Sequence, residues 1–138
     1  MSSVKLAALL IVGSLISVVA STVAKKAMSA GDAVENDLQI TAQRINREGP
    51  RLIGNDVRLD GAAAGPGRVI TYLHTNVVAA VKDIDLLAFK THHTAAIRAQ
   101  VCSTLRGLLQ KDVTMVYQYR DKNGAQIGSI SVDKSHCK

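Results

Sequence analysis

The feature that most constrains this chain is a run of nineteen residues, Leu6 to Ala24, without a single charge. As a helix rising about 1.5 Å per residue it spans roughly 28 Å, close to the ~30 Å hydrocarbon thickness of a bilayer. A chain of 138 residues has no soluble core large enough to hide a helix that is apolar on every side. The segment therefore belongs in a membrane, permanently or in transit. Lys5 precedes it and Lys25 and Lys26 follow.

Two outcomes compete for residues 1–26. A cleavable signal peptide would use Val18-Val19-Ala20 as its small-x-small site. An uncut anchor accounts better for the apolar character that continues to Lys25. Gly13, Ser17 and Ser21 recur every fourth position, a spacing that lets helices approach closely. Leu6, Gly13, Ser17 and Ala24 mark the membrane-contacting stretch. The flanking lysines nearly tie under the positive-inside rule, so orientation rests on the cysteines. Cys102 and Cys137 form no Cys-x-x-Cys motif, and two lone cysteines in a small exported domain are most simply one disulfide. A loop of that length would gain about 4 kcal/mol from closure. Two unrelated free thiols on a cytoplasmic domain are the alternative. The expectation is a domain outside the cytoplasm.

Charge points to no polyanion partner. Without Lys5, Lys25 and Lys26 the formal charge falls from +6 to +3, with 14 basic and 11 acidic residues interspersed. The aromatic side chains are only Tyr72, Phe89, Tyr117 and Tyr119. Neither a nucleic-acid footprint nor a base-stacking platform is expected from them.

Beyond a small polar tether at 27–31, residues 32–138 read as one α+β domain. Asp32-Ala-Val-Glu35 has capping-box spacing, and Val34, Leu38, Thr41, Ala42 and Ile45 form one helical stripe that Gly49-Pro50 ends. Asp56 to Asp60 alternates as a half-buried strand, Gly61 to Gly67 reads as a loop, and Arg68 to Val78 as a second strand with either face inward. Asp83 or Asp85 caps a longer helix carrying Ile84, Leu87, Ala88, Thr91, Ala95, Val101, Cys102 and Leu105, with a break and a short helix near Leu105 to Gln110. Val113 to Arg120 and Gln126 to Val132 flank Asn123-Gly124, the strongest hairpin marker in the chain. The predicted order is a membrane helix and then α-β-β-α-β-β, an antiparallel sheet covered by helices on one face.

The block Cys102…Tyr117-x-Tyr119-Arg120-Asp121…Gly124…Cys137, with Arg58-Leu59-Asp60 and Ile70-Thr71-Tyr72 upstream, resembles small exported or membrane-tethered proteobacterial proteins of unassigned function over roughly residues 50–138. The resemblance implies an envelope location and a bridged Cys102–Cys137 pair, and it brings no reaction. Localisation then reads as the bacterial inner membrane with the domain in the periplasm, or release to the periplasm if the leader is cut.

Catalytic chemistry finds no marked residues. Ser103, Ser129, Ser131 and Ser135 lie in no Gly-x-Ser-x-Gly context, and adjacent His92 and His93 diverge by about 100° on a helix. Cys102, His136, Cys137 and one of His92 or His93 have the zinc number without zinc spacing. Gly61 to Gly67 lacks the Lys-Ser/Thr of a phosphate loop. No cofactor, metal or catalytic residue is assigned. Tyr117, Tyr119 and Arg120 are the candidate contacts for an unknown envelope protein, although alternating strand tyrosines are also the mark of a packed face with wet hydroxyls. The expected function is therefore non-enzymatic, an accessory or immunity-type module acting through protein contacts. Two alternatives stay open: a small-ligand or lipid cavity lined by Leu73, Leu87 and Met115, and a hydrolase with His74 or His92 beside a carboxylate.

Overall fold

The computed structural model describes residues 33–138, of which Val34–Lys138 forms one compact unit. The uncharged segment 6–24, the tether 27–31 and the Asp32 cap lie outside the described residues. Among the described residues no helix is long and apolar enough to cross a membrane.

The elements are α1 (Ala33–Glu48), β1 (Arg51–Leu52), β2 (Val57–Gly65), β3 (Val69–Asn76), α2 (Leu86–Thr104), α3 (Arg106–Leu109), β4 (Thr114–Arg120) and β5 (Gln126–Val132). They build an α+β fold around a five-stranded sheet in the order β1-β2-β3-β4-β5. Local markers behave as their chemistry requires. Gly49, at φ +78°, turns the chain out of α1. Asp85 caps α2, its carboxylate accepting from the Ala88 amide at 3.0 Å. Leu105 leaves the helical region and separates α2 from α3. Gly124 takes φ +84° in the β4–β5 hairpin.

Three expectations need correction. The sheet is mixed: β2–β3 and β4–β5 are antiparallel hairpins, but β3 and β4 pair in parallel, Ile70 opposite Met115 and Tyr72 opposite Tyr117. The chain returns through α2 before β4 starts, and a helical crossover between neighbouring strands delivers them parallel. The Gly61–Gly67 stretch is mostly strand, since β2 runs to Gly65 and pairs with Val69. Small residues there serve close approach of α1. A Cβ on Gly61 would come within 2.6 Å of Asn46 Oδ1, and that oxygen accepts from the Ala62 amide at 2.8 Å while Asn46 Nδ2 donates to the Ala62 carbonyl at 2.9 Å. Gly61→Ala and Asn46→Ala should each cost about 1–2 kcal/mol in urea unfolding through the same lost pair of bonds. The double variant should cost little more than either; full additivity would rule this coupling out.

The third correction concerns α2. Its inward line is Phe89, His93, Ile97 and Val101, whereas Leu87 is 78 % exposed and Ala88, Thr91 and Ala95 face solvent. Consecutive apolar residues at the helix start blur the period, and the His93 ring fills a place on the line that a hydrophobicity count treats as polar. On the sheet, Ile70, Met115, Ile130 and Val132 meet Leu38, Ile97 and Val101 in the core. The inward face of β3 is thus the one bearing Ile70, Tyr72 and His74.

Candidate functional site

The parallel β3–β4 register sets an aromatic row on the inward sheet face. Tyr72 stacks on Tyr117 with centroids 5.2 Å apart, and His74 stacks on Tyr119 at 4.8 Å. Phe89 of α2 meets Tyr119 edge-on at 5.3 Å and stacks on His93 at 3.9 Å. His93 Nδ1 lies 2.9 Å from the Phe89 carbonyl one helical turn back. The row grades from covered to open. Tyr119 is 6 % and His74 5 % exposed, while Tyr72 and Tyr117 are only half-buried, although Ile70 and Met115 directly beside them are sealed.

Burial raises the pKa of all three phenols, that of Tyr119 to about 12; for Tyr117 the neighbouring Tyr72 and Tyr119 hydroxyls add to it. They stay neutral donors at any physiological pH. His74 shifts the other way. Loss of solvent lowers its pKa below the ordinary 6.5, and the Gln118 backbone, the Asp60 charge and the Tyr72 backbone offset this only in part. Among the described residues its Nδ1 has no hydrogen-bond partner. A base depressed in the folded state leaves the unfolded chain holding the extra proton below pH 6.5, so stability falls as pH drops from there through the folded pKa. His74→Phe, which keeps a ring in the stack, should flatten the pH dependence of urea stability below about pH 6.5. An unchanged slope would show that His74 does not control it. Asp112, Asp121 and Asp133, all lowered by hydrogen bonds, act at more acid pH.

The residues expected to contact a partner do not form one surface. Tyr117 is accessible, Tyr119 supports it from the core, and Arg120 is exposed on the opposite sheet face. Tyr72, which completes the accessible pair, is the residue that sequence reasoning missed: its β3 alternation was visible, but the strand that pairs with it was not. Asp121, although charged and next to the hairpin turn, is 1 % exposed. Its carboxylate accepts from the Val81 amide at 2.8 Å, Asn123 at 2.8 Å and Ala125 at 2.7 Å, clamping the β3–α2 connection to the hairpin. Asp121→Asn should lower the melting temperature and weaken this clamp's acid sensitivity.

Cys102 and Cys137 form a disulfide with a Cα–Cα distance of 5.5 Å, so neither sulfur is available to a metal. Among the described residues no three metal-type ligands converge. Leu73, Leu87 and Met115 do not line a common cavity, since Met115 is sealed in the core, Leu87 is exposed and Leu73 lies on the opposite sheet face from Met115. His92 is exposed. His74 borders a small hollow of about 70 Å³ with Asp60, Gln118 and Arg120, but the Asp60 carboxylate is engaged by Arg58 and Thr75.

No protein-family model matches the chain, and no curated protein matches it in sequence. Its fold is similar to that of a Pseudomonas aeruginosa protein assigned as secreted, with TM-score 0.67, 17 % identity and coverage of 79 % of this chain and 97 % of that one. It is also similar to the type II secretion system pilotin AspS from Vibrio cholerae, with TM-score 0.59, 17 % identity and coverage of 80 % and 99 %. The type II secretion system pilotin EpsS from Vibrio vulnificus gives TM-score 0.57, 13 % identity and coverage of 76 % and 96 %. At these identities the likeness is one of fold.

Proposed function

We propose that this chain is a non-enzymatic envelope protein whose periplasmic domain binds another protein, as an accessory module of a secretion-type assembly. The observation that carries the reading is the half-buried Tyr72–Tyr117 stack, accessible on a sheet face where Ile70, Met115, Ile130 and Val132 are buried. Among the described residues none hydrogen-bonds these phenol hydroxyls, so each tyrosine presents an apolar ring with a polar tip, the chemistry enriched at protein-binding hot spots. A fold shared with two pilotins supports the same class of work. Residues 6–24 would hold the domain at the bacterial inner membrane, or deliver it to the periplasm if cut.

A photo-crosslinking amino acid placed at Tyr72 or Tyr117 in intact cells tests this. One or two discrete protein adducts are expected, absent when the crosslinker replaces Ala88 on the far side of α2. Equal adducts from all three positions, or none from the tyrosines, would remove the reading.

A further inference from the structure

The two edges of the sheet are built differently. β1 is two residues long and follows Pro50, and past it side chains of α1 close the outward backbone of β2. Asn46 accepts from the Ala62 N–H at 2.8 Å and donates to its C=O at 2.9 Å, and Gln39 donates to the Ala64 carbonyl at 3.4 Å. A very short edge strand, a proline and covering side chains are devices that keep an edge from accepting another strand. β5 carries none of them. It runs seven residues, Gln126–Val132, without a charge or a proline, and among the described residues no strand lies beyond it.

The pairing register identifies the backbone groups that β5 leaves open. Thr114 donates its N–H to the Arg68 carbonyl, so Thr114, Val116 and Gln118 turn their backbone toward β3. Met115 and Tyr117 between them turn theirs toward β5, opposite Val132 and Ile130. Ser129 and Ser131 therefore direct N–H and C=O away from the sheet, and no described residue bonds to them there. Both serine side chains are exposed.

We propose that β5 pairs antiparallel with β5 of a second copy of this chain, about a twofold axis at Ile130. The choice of occupant comes from the strand's fit to its own reverse. In that register Ser129 opposes Ser131 of the second copy and the two exchange N–H···O=C bonds on both sides of the axis. Gly128 opposes Val132 of the second copy, no side chain against a branched one, and no like charges face each other along the strand. A foreign strand would find no charge on β5 to select it. Self-pairing closes a twofold dimer, and the blunted β1 edge stops further addition. The seam uses the backbone of Ser129 and Ser131 and not the tyrosine stack, so it stands independently of the proposed function.

Amide hydrogen exchange on the ¹⁵N-labelled full chain in detergent micelles tests this. A single strand edge buries little area, and small interfaces associate weakly. At about 1 mM the Ser129 and Ser131 amides should exchange about tenfold more slowly than after a fiftyfold dilution, by mass action. Gly128, Ile130 and Val132, bonded to β4, should show no such dependence. The double variant Ser129→Lys with Ser131→Lys sets cation against cation across the seam and should abolish the protection at an unchanged melting temperature. Ser129→Glu with Ser131→Lys sets opposite charges there and should restore it. Fast exchange at both concentrations, or protection that dilution leaves intact, would overturn the second copy. Protection that survives the lysine pair, or fails to return with the Glu–Lys pair, would overturn the antiparallel seam.

Discussion

Unfolding in urea should show a loss of about 4 kcal/mol when Cys102 and Cys137 are both replaced by serine, with a matching loss in dithiothreitol. The cysteines are 35 residues apart, and closing a loop of that size in the unfolded chain removes entropy worth about that much. The native side adds to the effect. The bridge fastens the end of α2 to the turn that follows β5, and Arg106 joins the same two segments by donating to the backbone oxygens of Cys102 and Lys138. For a domain of this size about 4 kcal/mol corresponds to a fall of some 15 °C or more in melting temperature. A loss under about 1 kcal/mol in the serine variant would show that the α2 end and the tail hold together without the bond, and that the unfolded chain is already compact.

Much of this arrangement was legible residue by residue because the deciding chemistry is local. Gly49-Pro50, Asp85 and Asn123-Gly124 mark ends and turns through backbone requirements that no distant contact changes. What lay beyond reach was set by partners. Gly61-Ala62-Ala63-Ala64 has the composition of a loop, yet pairing with β3 on one side and the Asn46 side chain over Gly61 make it strand. Propensity yields there to tertiary contact. The parallel seam between β3 and β4 was hidden for a related reason: each hairpin is complete in its own sequence pattern, and nothing in either pattern states how α2 sets them side by side.

The same division runs through the site. Tyr117 was visible as a strand residue with an alternating neighbour, but alternation places Tyr119 on the same face without telling that α2 covers one and spares the other. Phe89 and His93 decide that, through a helix line whose period the adjacent Leu86, Leu87 and Ala88 obscure. A charged residue in a turn is ordinarily solvated, yet three amides from two loops surround Asp121. Only the folded chain brings Val81 within reach, forty residues away in sequence.

Met115 and Tyr117 stand two residues apart on one face of β4, and they should separate folding from binding. Met115 has 0 % exposure and packs where Ile70, Val132 and the α2 line converge. Met115→Ala should therefore cost about 2–5 kcal/mol, whereas Met115→Leu, nearly equal in volume, should cost under about 1.5 kcal/mol. Tyr117 differs because its ring has one side on Tyr72 and its edge toward solvent. Tyr117→Phe keeps the stack and the apolar area, and since its hydroxyl makes no bond within the fold, stability should hold within about 0.5 kcal/mol. Crosslinking from Tyr72 in the Tyr117→Phe background should nevertheless fall if the phenol tip meets a partner, while the folded but weakened Met115→Leu protein should crosslink normally. The reverse order, with Met115→Leu impairing capture and Tyr117→Phe leaving it intact, would mean that the partner senses the packing of the sheet and not the tyrosine row.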